Sequence, residues 1–320
     1  MSERDHLILA LDFGGTQFRL ALANDQGRIL RRHAAPIRPS LGPDQAIKRI
    51  KDATRALLNG VDEAALTGMG IAAAGLITPG TGVVLTSPNL LTWYNTPLKD
   101  IFEQELQLPV WVGNDANLAA LGEHRFGAGR ETDHLIYLTV STGIGGGVII
   151  GGKLLLGSSG FAGELGHVTI DVNGPRCNCG NVGCLEVMAS GTAIARAARE
   201  WLAHGESGKI RELAAGDPAG VTAEMVAVAA KTGDPVARQI MYTAAANLGA
   251  GVVSLVHIFN PELVLIGGGV AKAGDLVFEP VRQVVAERVM PDITVSILPS
   301  GLGDDSGLLG AVALVLESAF

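Results

Sequence analysis

The sequence is poor in cysteine, with 3 in 320 residues. An odd and small number of cysteines argues against the disulfide framework of secreted proteins. The N-terminus, MSERDHLILALDF, has mixed charges and a short apolar run that ends at Asp12, unlike a secretory signal peptide. We therefore expect a cytoplasmic protein.

Positive charge is also scarce: 24 Lys and Arg residues stand against 32 Asp and Glu residues, and the net charge is −8. Such a surface repels phosphates, so we expect no nucleic-acid partner. Only 18% of the residues are charged and 48% are hydrophobic, which predicts large buried cores and no disorder. The uncharged stretch 239–261 contains Asn247, His257 and Asn260, and it favours a buried helix followed by a turn over a membrane span.

The first half of the chain alternates strand and turn patterns. HLILALDF, TQFRLALA and RILRRHA predict three strands joined by GG and NDQG turns, and a helix follows from about Asp44 to Leu58. A buried-strand run, LTGMGIAAAG, comes next. The opening pattern recurs in HLIYLTVSTGIGGGVIIGGKLLLG. This recurrence predicts a duplicated α/β unit, with two similar domains that face a cleft.

The second half is more helical. Asp234-Pro235 predicts the start of a helix that runs to about His257. NPELVLIGGG predicts a turn, a buried strand and a glycine triplet, and GDDSGLLGAVALVLESAF predicts a turn followed by an apolar helix. The stretch 204–220 is predicted to be a surface connection.

Three glycine-rich turns follow buried strands. Glycine lets backbone amides approach a phosphate, and a threonine hydroxyl adds a donor. Neither a Walker loop nor a GxGxxG that opens a helix is present, so those two nucleotide-binding classes are not predicted. For the first turn, a plain type I′ hairpin is the alternative. The candidate residues are Asp12, Gly14, Gly15 and Thr16; Thr142, Gly143, Gly145 and Gly146; and Gly267, Gly268 and Gly269.

Polar side chains suited to acid–base chemistry form two further groups. Asn114-Asp115 follows a short strand and precedes a helix, so either residue could cap that helix. The functional alternative is that Asp115 is a catalytic base, because an aspartate with a pKa of about 3.9 is ionised at neutral pH. Glu164, His167 and Glu186 have the groups that bind sugar hydroxyls, although each glutamate could equally lie on the surface.

All three cysteines, Cys177, Cys179 and Cys184, lie within eight positions, downstream of His167. Three thiolates and one imidazole form a common structural zinc site. Gly180 and Gly183 can relax the tight C-x-C spacing. A redox-active thiol pair and three unrelated buried cysteines are the alternatives.

With these residues the chain resembles the ROK family (repressor, open reading frame, kinase) of sugar kinases over nearly its whole length. LDFGGT and STGIGGGVI resemble the two phosphate motifs, GNDAN the catalytic segment, and GELGH…CNCGNVGCLE the zinc signature. The resemblance implies two ribonuclease-H-like (actin-like ATPase) domains that flank a catalytic cleft. The implied domains are residues 1–115 plus about 303–320, and residues 116–302 with the zinc loop.

The resemblance also implies residue roles and cofactors, namely ATP, Mg²⁺ and a structural Zn²⁺. Asp115 is the implied base, and Asp12 is placed near the metal–phosphate group. His167 is expected to bind zinc through one ring nitrogen and sugar through the other. The chain departs from the family at Gln17, where many members have lysine. The implied sugar contacts are Asn89, Asn114, Asp115, Glu164, His167 and Glu186.

The activity implied is ATP-dependent phosphorylation of a hexose, with glucose favoured by SPNLLTWYNTPL. N-acetylglucosamine, N-acetylmannosamine, fructose and allose are alternative substrates. A sugar-sensing regulator without catalysis and an actin-like ATPase are alternative functions. Family repressors carry an N-terminal helix-turn-helix; because the first strand here begins at about residue 6, no DNA-binding domain is expected. A homodimer or homotetramer is expected from the family alone.

Overall fold

The computed structural model describes residues 6–15, 17–37, 42–87, 92–205 and 208–319. The chain divides into two compact units. Unit 1 consists of Met1–Glu131, Gly147–Gly163 and Gly301–Phe320, and unit 2 consists of Thr132–Gly146 and Glu164–Ser300. The predicted domains, 1–115 with about 303–320 and 116–302, have different bounds and stay a prediction.

Unit 1 contains a five-stranded sheet with the order β3-β2-β1-β4-β8. The strands β1, β2 and β3 form an antiparallel meander, whereas β4 and β8 add in parallel. Six of the seven residues of β1 are buried, as its apolar run LILALDF requires of a central strand. The edge strand β3 is mostly exposed and carries charged side chains. The strands are β1 (Leu7–Phe13), β2 (Gln17–Asn24), β3 (Ile29–Pro36), β4 (Leu66–Ala73) and β8 (Val110–Asn114).

The described residues of unit 1 also form four α-helices and a small second sheet. The helices are α1 (Gly42–Leu58), α2 (Leu98–Leu106), α3 (Asp115–Phe126) and α10 (Ser306–Ala319). The small sheet consists of β5 (Leu76–Thr78), β6 (Val83–Thr86) and β7 (Tyr94–Pro97). Glycines let α10 approach its neighbours: an added Cβ at Gly70 would lie 2.0 Å from the Ala311 carbonyl oxygen, and one at Gly310 would lie 1.8 Å from the Leu118 oxygen. The apolar C-terminal helix therefore packs directly on β4 and α3.

A second five-stranded sheet has the order β11-β10-β9-β12-β13. Its strand β12 pairs in parallel with both β9 and β13. All five residues of β12 are buried, in agreement with the predicted buried strand. The strands are β9 (Leu135–Val140), β10 (Ile144–Ile150), β11 (Lys153–Leu154), β12 (Leu263–Gly267) and β13 (Ser296–Pro299).

Unit 2 contains the longest of the described helices, α8 (Pro235–Phe259). Asp234 caps it by accepting a hydrogen bond from the Ala237 N–H (2.9 Å), so the predicted start is confirmed. Among the described residues, α8 alone is long and apolar enough to cross a membrane, but half of its most apolar window is buried inside the protein. It packs in the core, as predicted. The other helices are α4 (Leu185–Ala189), α5 (Gly191–Ala203), α6 (Gly208–Leu213), α7 (Ala223–Lys231) and α9 (Asp275–Arg288).

A buried carboxyl group joins α3 to the segment before α10. Glu123 is fully buried. Its Oε2 accepts hydrogen bonds from the N–H groups of Ala128 and Gly301, both at 3.0 Å. Its Oε1 accepts from the Leu302 N–H (2.9 Å) and the Ser306 hydroxyl (3.0 Å). One buried carboxyl group thus accepts four hydrogen bonds, so its desolvated oxygens are fully paired.

Replacing Glu123 by glutamine tests this junction. One carboxyl oxygen becomes an NH₂ group that faces two donors, so we expect Glu123→Gln to lower the free energy of unfolding by about 2–4 kcal/mol. Thermal and urea unfolding measure the change. Glu279→Gln is the matched control, because the Glu279 side chain is 68% exposed. Equal stability of the two variants would contradict the structural role of Glu123.

Candidate active site

The first glycine turn joins β1 to β2. The last pair of the ladder is Phe13 with Phe18, and the Gly14 N–H donates to the Gln17 carbonyl oxygen (3.2 Å). Neither Gly14 nor Gly15 has a positive φ, which a type I′ turn centred on them would require. The plain type I′ alternative is therefore wrong for the glycine pair. Thr16 lies outside the described residues.

Asp12, the last polar residue before this turn, is buried and paired. Only 7% of its surface is exposed. Arg19 lies opposite it on β2 and forms an ion pair with Asp12 Oδ2, while also donating to the Asp304 carbonyl oxygen. Burial raises the pKa of Asp12 above its usual value, and the charge and hydrogen bond of Arg19 partly offset this. Sequence reasoning missed Arg19, although the strand register was the available signal.

Asn114 and Asp115 divide the two roles that the sequence left open. Asn114 caps α3: its Oδ1 accepts from the N–H groups of Ala116 (3.0 Å) and Asn117 (3.1 Å), and its Nδ2 donates to the Gly75 carbonyl oxygen (3.1 Å). Asp115 is the first residue of the helix and accepts from the Ala116 N–H at 2.9 Å. Asn114 therefore supplies the N-cap of α3, and the helix does not need the Asp115 carboxylate as its cap.

In unit 2 the four predicted metal ligands come together. The ligand atoms of His167, Cys177, Cys179 and Cys184 all lie within 4.8 Å of one another. His167 Nδ1 is 3.7 Å from Cys177 Sγ, and the sulfurs of Cys179 and Cys184 are 3.7 Å apart. A tetrahedron with metal–sulfur bonds of about 2.3 Å has sulfur–sulfur edges of roughly 3.8 Å. The cluster therefore has the donor set and the dimensions of a closed Cys₃His zinc site.

The backbone of this loop depends on glycine. Gly180 and Gly183 have φ values of 96° and 63°. A Cβ added at Gly183 would lie 1.6 Å from the Asp171 carbonyl oxygen. The loop therefore excludes a side chain at the residue before Cys184, and both glycines relax the tight spacing as predicted.

The thiols differ in their electrostatic surroundings. Burial raises the pKa of the Cys184 thiol to about 12 and also raises the pKa of Cys177. A hydrogen bond with the Asn181 backbone lowers the pKa of Cys179. Because thiolates are the metal-binding form, a cation at this cluster would displace protons from the two buried thiols.

Glu186 connects the cysteine cluster to the second glycine turn. Its Oε2 accepts from the Ile144 N–H at 3.0 Å, and its Oε1 lies 3.9 Å from Cys177 Sγ. A Cβ at Gly143 would lie 2.3 Å from Glu186 Oε2, so glycine is required there. On the other side of the cluster, His167 Nε2 is 3.8 Å from Glu164 Oε2. The three side chains of unit 2 that were predicted to bind sugar, Glu164, His167 and Glu186, therefore lie close together.

The second and third glycine motifs are also neighbours in unit 2. Gly268 has a φ of 88°, and a Cβ there would lie 2.4 Å from the Val140 carbonyl oxygen. Gly269 lies beside Ser141, whose hydroxyl oxygen would be 3.7 Å from an added Cβ. Gly146 serves packing, because a Cβ there would contact Leu165 at 2.6 Å. Sequence reasoning did not separate this packing role from phosphate binding.

A cavity of about 710 Å³ opens beside these motifs. Ser141, Thr142 and Gly269 form one wall, and one face each of α5 and α7 forms another. The lining is mixed: nine of its residues have apolar side chains, and eight have polar or charged ones. Sequence reasoning missed α7, because its residues match no nucleotide motif. The charged residues that line the cavity are Arg199, Glu224, Lys231 and Lys272.

The predicted site residues therefore fall into two groups that are each built within one unit. Unit 1 holds the first glycine turn and the Asn114-Asp115 pair, and unit 2 holds the cysteine cluster, its two glutamates and the other glycine motifs. Asn89, a predicted sugar contact, lies outside the described residues, as does Thr16.

Comparison with known proteins identifies the family. The sequence model of the ROK family matches residues 8–318, and the chain belongs to this family. A glucokinase from Thermotoga maritima is 40% identical over 312 residues, which are 97% of each chain. A xylose repressor from Caldicellulosiruptor bescii is 34% identical over 314 residues, covering 97% of this chain and 78% of the repressor.

Solved structures agree with the predicted fold class. The chain is similar to a ROK family glucokinase from Streptomyces griseus that was solved in complex with glucose and AMPPNP. The TM-score is 0.86 at 36% identity, and the match covers 97% of this chain and 99% of the glucokinase. The predicted α/β actin-like ATPase fold class is confirmed.

The division of roles between Asn114 and Asp115 is testable by stability alone. Asn114→Ala removes a cap and the bond to Gly75, so we expect a loss of about 1–2 kcal/mol in unfolding free energy. Asp115→Asn is the matched control and should stay within about 1 kcal/mol of the wild type, because the neighbouring cap remains. Thermal unfolding measures both. A larger loss for Asp115→Asn than for Asn114→Ala would contradict the assignment.

Proposed function

We propose that the protein is an ATP-dependent glucose kinase that converts glucose to glucose 6-phosphate. The observation that carries the proposal is the full-length similarity to the Streptomyces griseus glucokinase bound to glucose and AMPPNP. The glucokinase from Thermotoga maritima supports it over 97% of the chain. N-acetylglucosamine, N-acetylmannosamine, fructose and allose are the other substrates that the proposal leaves for testing.

Asp115 is the proposed catalytic base. Its carboxylate accepts the proton of the sugar hydroxyl, and the oxygen forms a bond to the γ-phosphorus of ATP while the bond to the β–γ bridging oxygen breaks and ADP leaves. Phosphoryl transfer needs positioning and charge stabilisation more than covalent chemistry, so one well-placed carboxylate is a sufficient base. Asp115 is the first residue of α3 and therefore lies at the positive end of the helix dipole.

The proposed nucleotide-binding residues are the three glycine motifs and the 710 Å³ cavity. The apolar side chains of the cavity suit a nucleobase, and the glycines of the neighbouring turns suit phosphates. Asp12 is the proposed residue for Mg²⁺, because a carboxylate oxygen together with phosphate oxygens is the donor set that this ion prefers. When bound, Mg²⁺ supplies charge neutralisation to the phosphates.

The proposed sugar contacts are Asn89, Asn114, Asp115, Glu164, His167 and Glu186. Carboxylate and imidazole groups bind vicinal hydroxyls well. The geometry around His167 supports its double role, since Nδ1 faces the sulfur of Cys177 and Nε2 lies on the side of Glu164.

The cysteine cluster is proposed to hold one structural Zn²⁺ through His167, Cys177, Cys179 and Cys184. The tetrahedral dimensions of the four donors support zinc over a redox-active thiol pair. Zinc would fix the ring orientation of His167 and keep Glu186 beside the Ile144 N–H.

A regulator without catalysis is the second candidate, and the similarity to the xylose repressor favours it. Sugar binding without ATP consumption would identify this case.

We further propose that the protein acts in glycolysis in the cytoplasm, with no nucleic-acid or membrane partner. The proposal also includes a homodimer or homotetramer, which light scattering after gel filtration would test.

Asp115→Asn tests the catalytic assignment. The amide cannot accept the hydroxyl proton, so we expect kcat for glucose phosphorylation to fall roughly 10²–10⁴-fold. Glucose affinity, measured by calorimetry, should change little because the side chain keeps its shape. Near-normal turnover of this variant would refute the mechanism, whereas complete loss of glucose binding would make Asp115 a binding residue only.

Removal of the metal tests the zinc assignment. We expect about one zinc per chain by elemental analysis. Chelation should lower glucose affinity by roughly 10–100-fold and lower the unfolding temperature, because His167 and Glu186 lose their fixed positions. Reconstitution with Zn²⁺, compared with Mg²⁺ as the control, should restore both properties. A zinc-free protein that is folded and has unchanged glucose affinity would contradict the role proposed for the cluster.

A further inference from the structure

The first glycine turn lacks a positive charge in its own sequence. The segment from Asp12 to Phe18 reads DFGGTQF, with one acidic residue and no lysine or arginine. Gln17 is the first residue of β2 and is exposed. Arg19 follows it two positions later, on the same side of the strand because side chains alternate with a period of two. It is the first cation after the turn.

The strand register places Arg19 directly opposite Asp12. One guanidinium nitrogen of Arg19 binds Asp12 Oδ2, and the other binds the Asp304 carbonyl oxygen. The Arg19 side chain is 27% exposed and that of Asp12 is 9% exposed. A single planar group therefore joins the β1–β2 hairpin to the segment that precedes α10.

The surroundings of Asp12 explain why this contact matters. A Cβ added at Gly307 would lie 2.7 Å from Asp12 Oδ2, so the first turn of α10 packs directly against the carboxyl group of Asp12. Asp305 adds a second negative charge nearby, and it is itself paired with Arg32 on β3. Without Arg19, the buried Asp12 carboxylate would lose its charge-assisted partner and the group that fixes its rotamer.

We propose that Arg19 is a positioning residue that fixes the Asp12 carboxylate for the metal–triphosphate group. The inference rests on the proposed function, which gives Asp12 a Mg²⁺ ion to hold. Arg19 itself needs no contact with substrate for this role. Its planar fork suits the task, since two N–H groups can hold a carboxylate and a carbonyl oxygen at once.

A purely structural role is the competing explanation. Removing one partner of a largely buried ion pair destabilises the fold whether or not the pair also positions a metal ligand. Thermal stability alone therefore cannot separate the two roles, and the test needs metal affinity as its readout. Mn²⁺ serves as the probe, because free and bound Mn²⁺ are distinguished by electron paramagnetic resonance.

The experiment compares the wild type with Arg19→Gln, Arg19→Lys and Arg31→Gln, each saturated with AMPPNP. Arg31 is the matched control: it lies on β3 of the same sheet and donates only to the carbonyl oxygens of Leu57 and Asn59 in the contacts described. We expect Arg19→Gln to weaken Mn²⁺ binding roughly tenfold, which corresponds to about 1.4 kcal/mol. Arg19→Lys should recover part of the loss, because it keeps the charge but lacks the fork. Arg31→Gln should bind Mn²⁺ like the wild type.

Steady-state kinetics provide the second readout. Arg19→Gln should raise the Mg²⁺ concentration needed for half-maximal rate and the KM for ATP, while the KM for glucose stays unchanged. Unchanged Mn²⁺ affinity in Arg19→Gln overturns the inference, as does an equal loss in Arg31→Gln. If the wild type binds Mn²⁺ and AMPPNP but phosphorylates no sugar, the proposed function fails, and the Mn²⁺ titrations still decide the role of Arg19.

Discussion

The buried carboxyl group of Glu123 is the interaction on which the functional part of unit 1 depends. It lies on α3, eight residues after the Asp115 that begins this helix. It accepts four hydrogen bonds, from Ala128, from Gly301 and Leu302 before α10, and from Ser306 at the start of α10. The same segment before α10 supplies the Asp304 carbonyl oxygen that Arg19 binds. The positions of the proposed base, Asp115, and of the proposed metal residue, Asp12, therefore both depend on this junction. Asp115 lies on the helix that carries Glu123, and Asp12 pairs with Arg19, which binds the segment that Glu123 contacts.

Unit 2 contains a comparable junction at Glu186. Its carboxyl oxygens contact the Ile144 N–H and approach Cys177, so the cysteine cluster and the second glycine turn share one side chain. Gly143 has no side chain because that carboxyl oxygen occupies the space. A metal bound by the cluster would therefore influence the position of the second glycine turn through Glu186, without contacting the turn itself. In both units a glutamate carboxyl links two chain segments that are far apart in sequence.

The sequence predicts the fold class, the helix that begins at Pro235 and the cysteine cluster well, because each depends on local patterns: hydrophobic period, capping residues and ligand spacing. It could not separate the cap from the base at Asn114-Asp115, since both residue types cap helices and only the hydrogen bonds distinguish them. The pairing of Arg19 with Asp12 follows only from the register of the β1–β2 hairpin, whereas the cavity beside α7 depends on packing between segments that are distant in sequence. Long-range contacts of this kind leave no local pattern.

As an ATP-dependent glucose kinase of the ROK family, the protein would transfer a phosphoryl group from ATP to glucose. The most direct measurement follows ADP and sugar phosphate together, with the purified protein, ATP, Mg²⁺ and either glucose, another hexose, xylose or no sugar. We expect one glucose 6-phosphate for each ADP, and no ADP without sugar. Glucose binding without ADP formation, or ADP formation that is independent of sugar, would contradict this function.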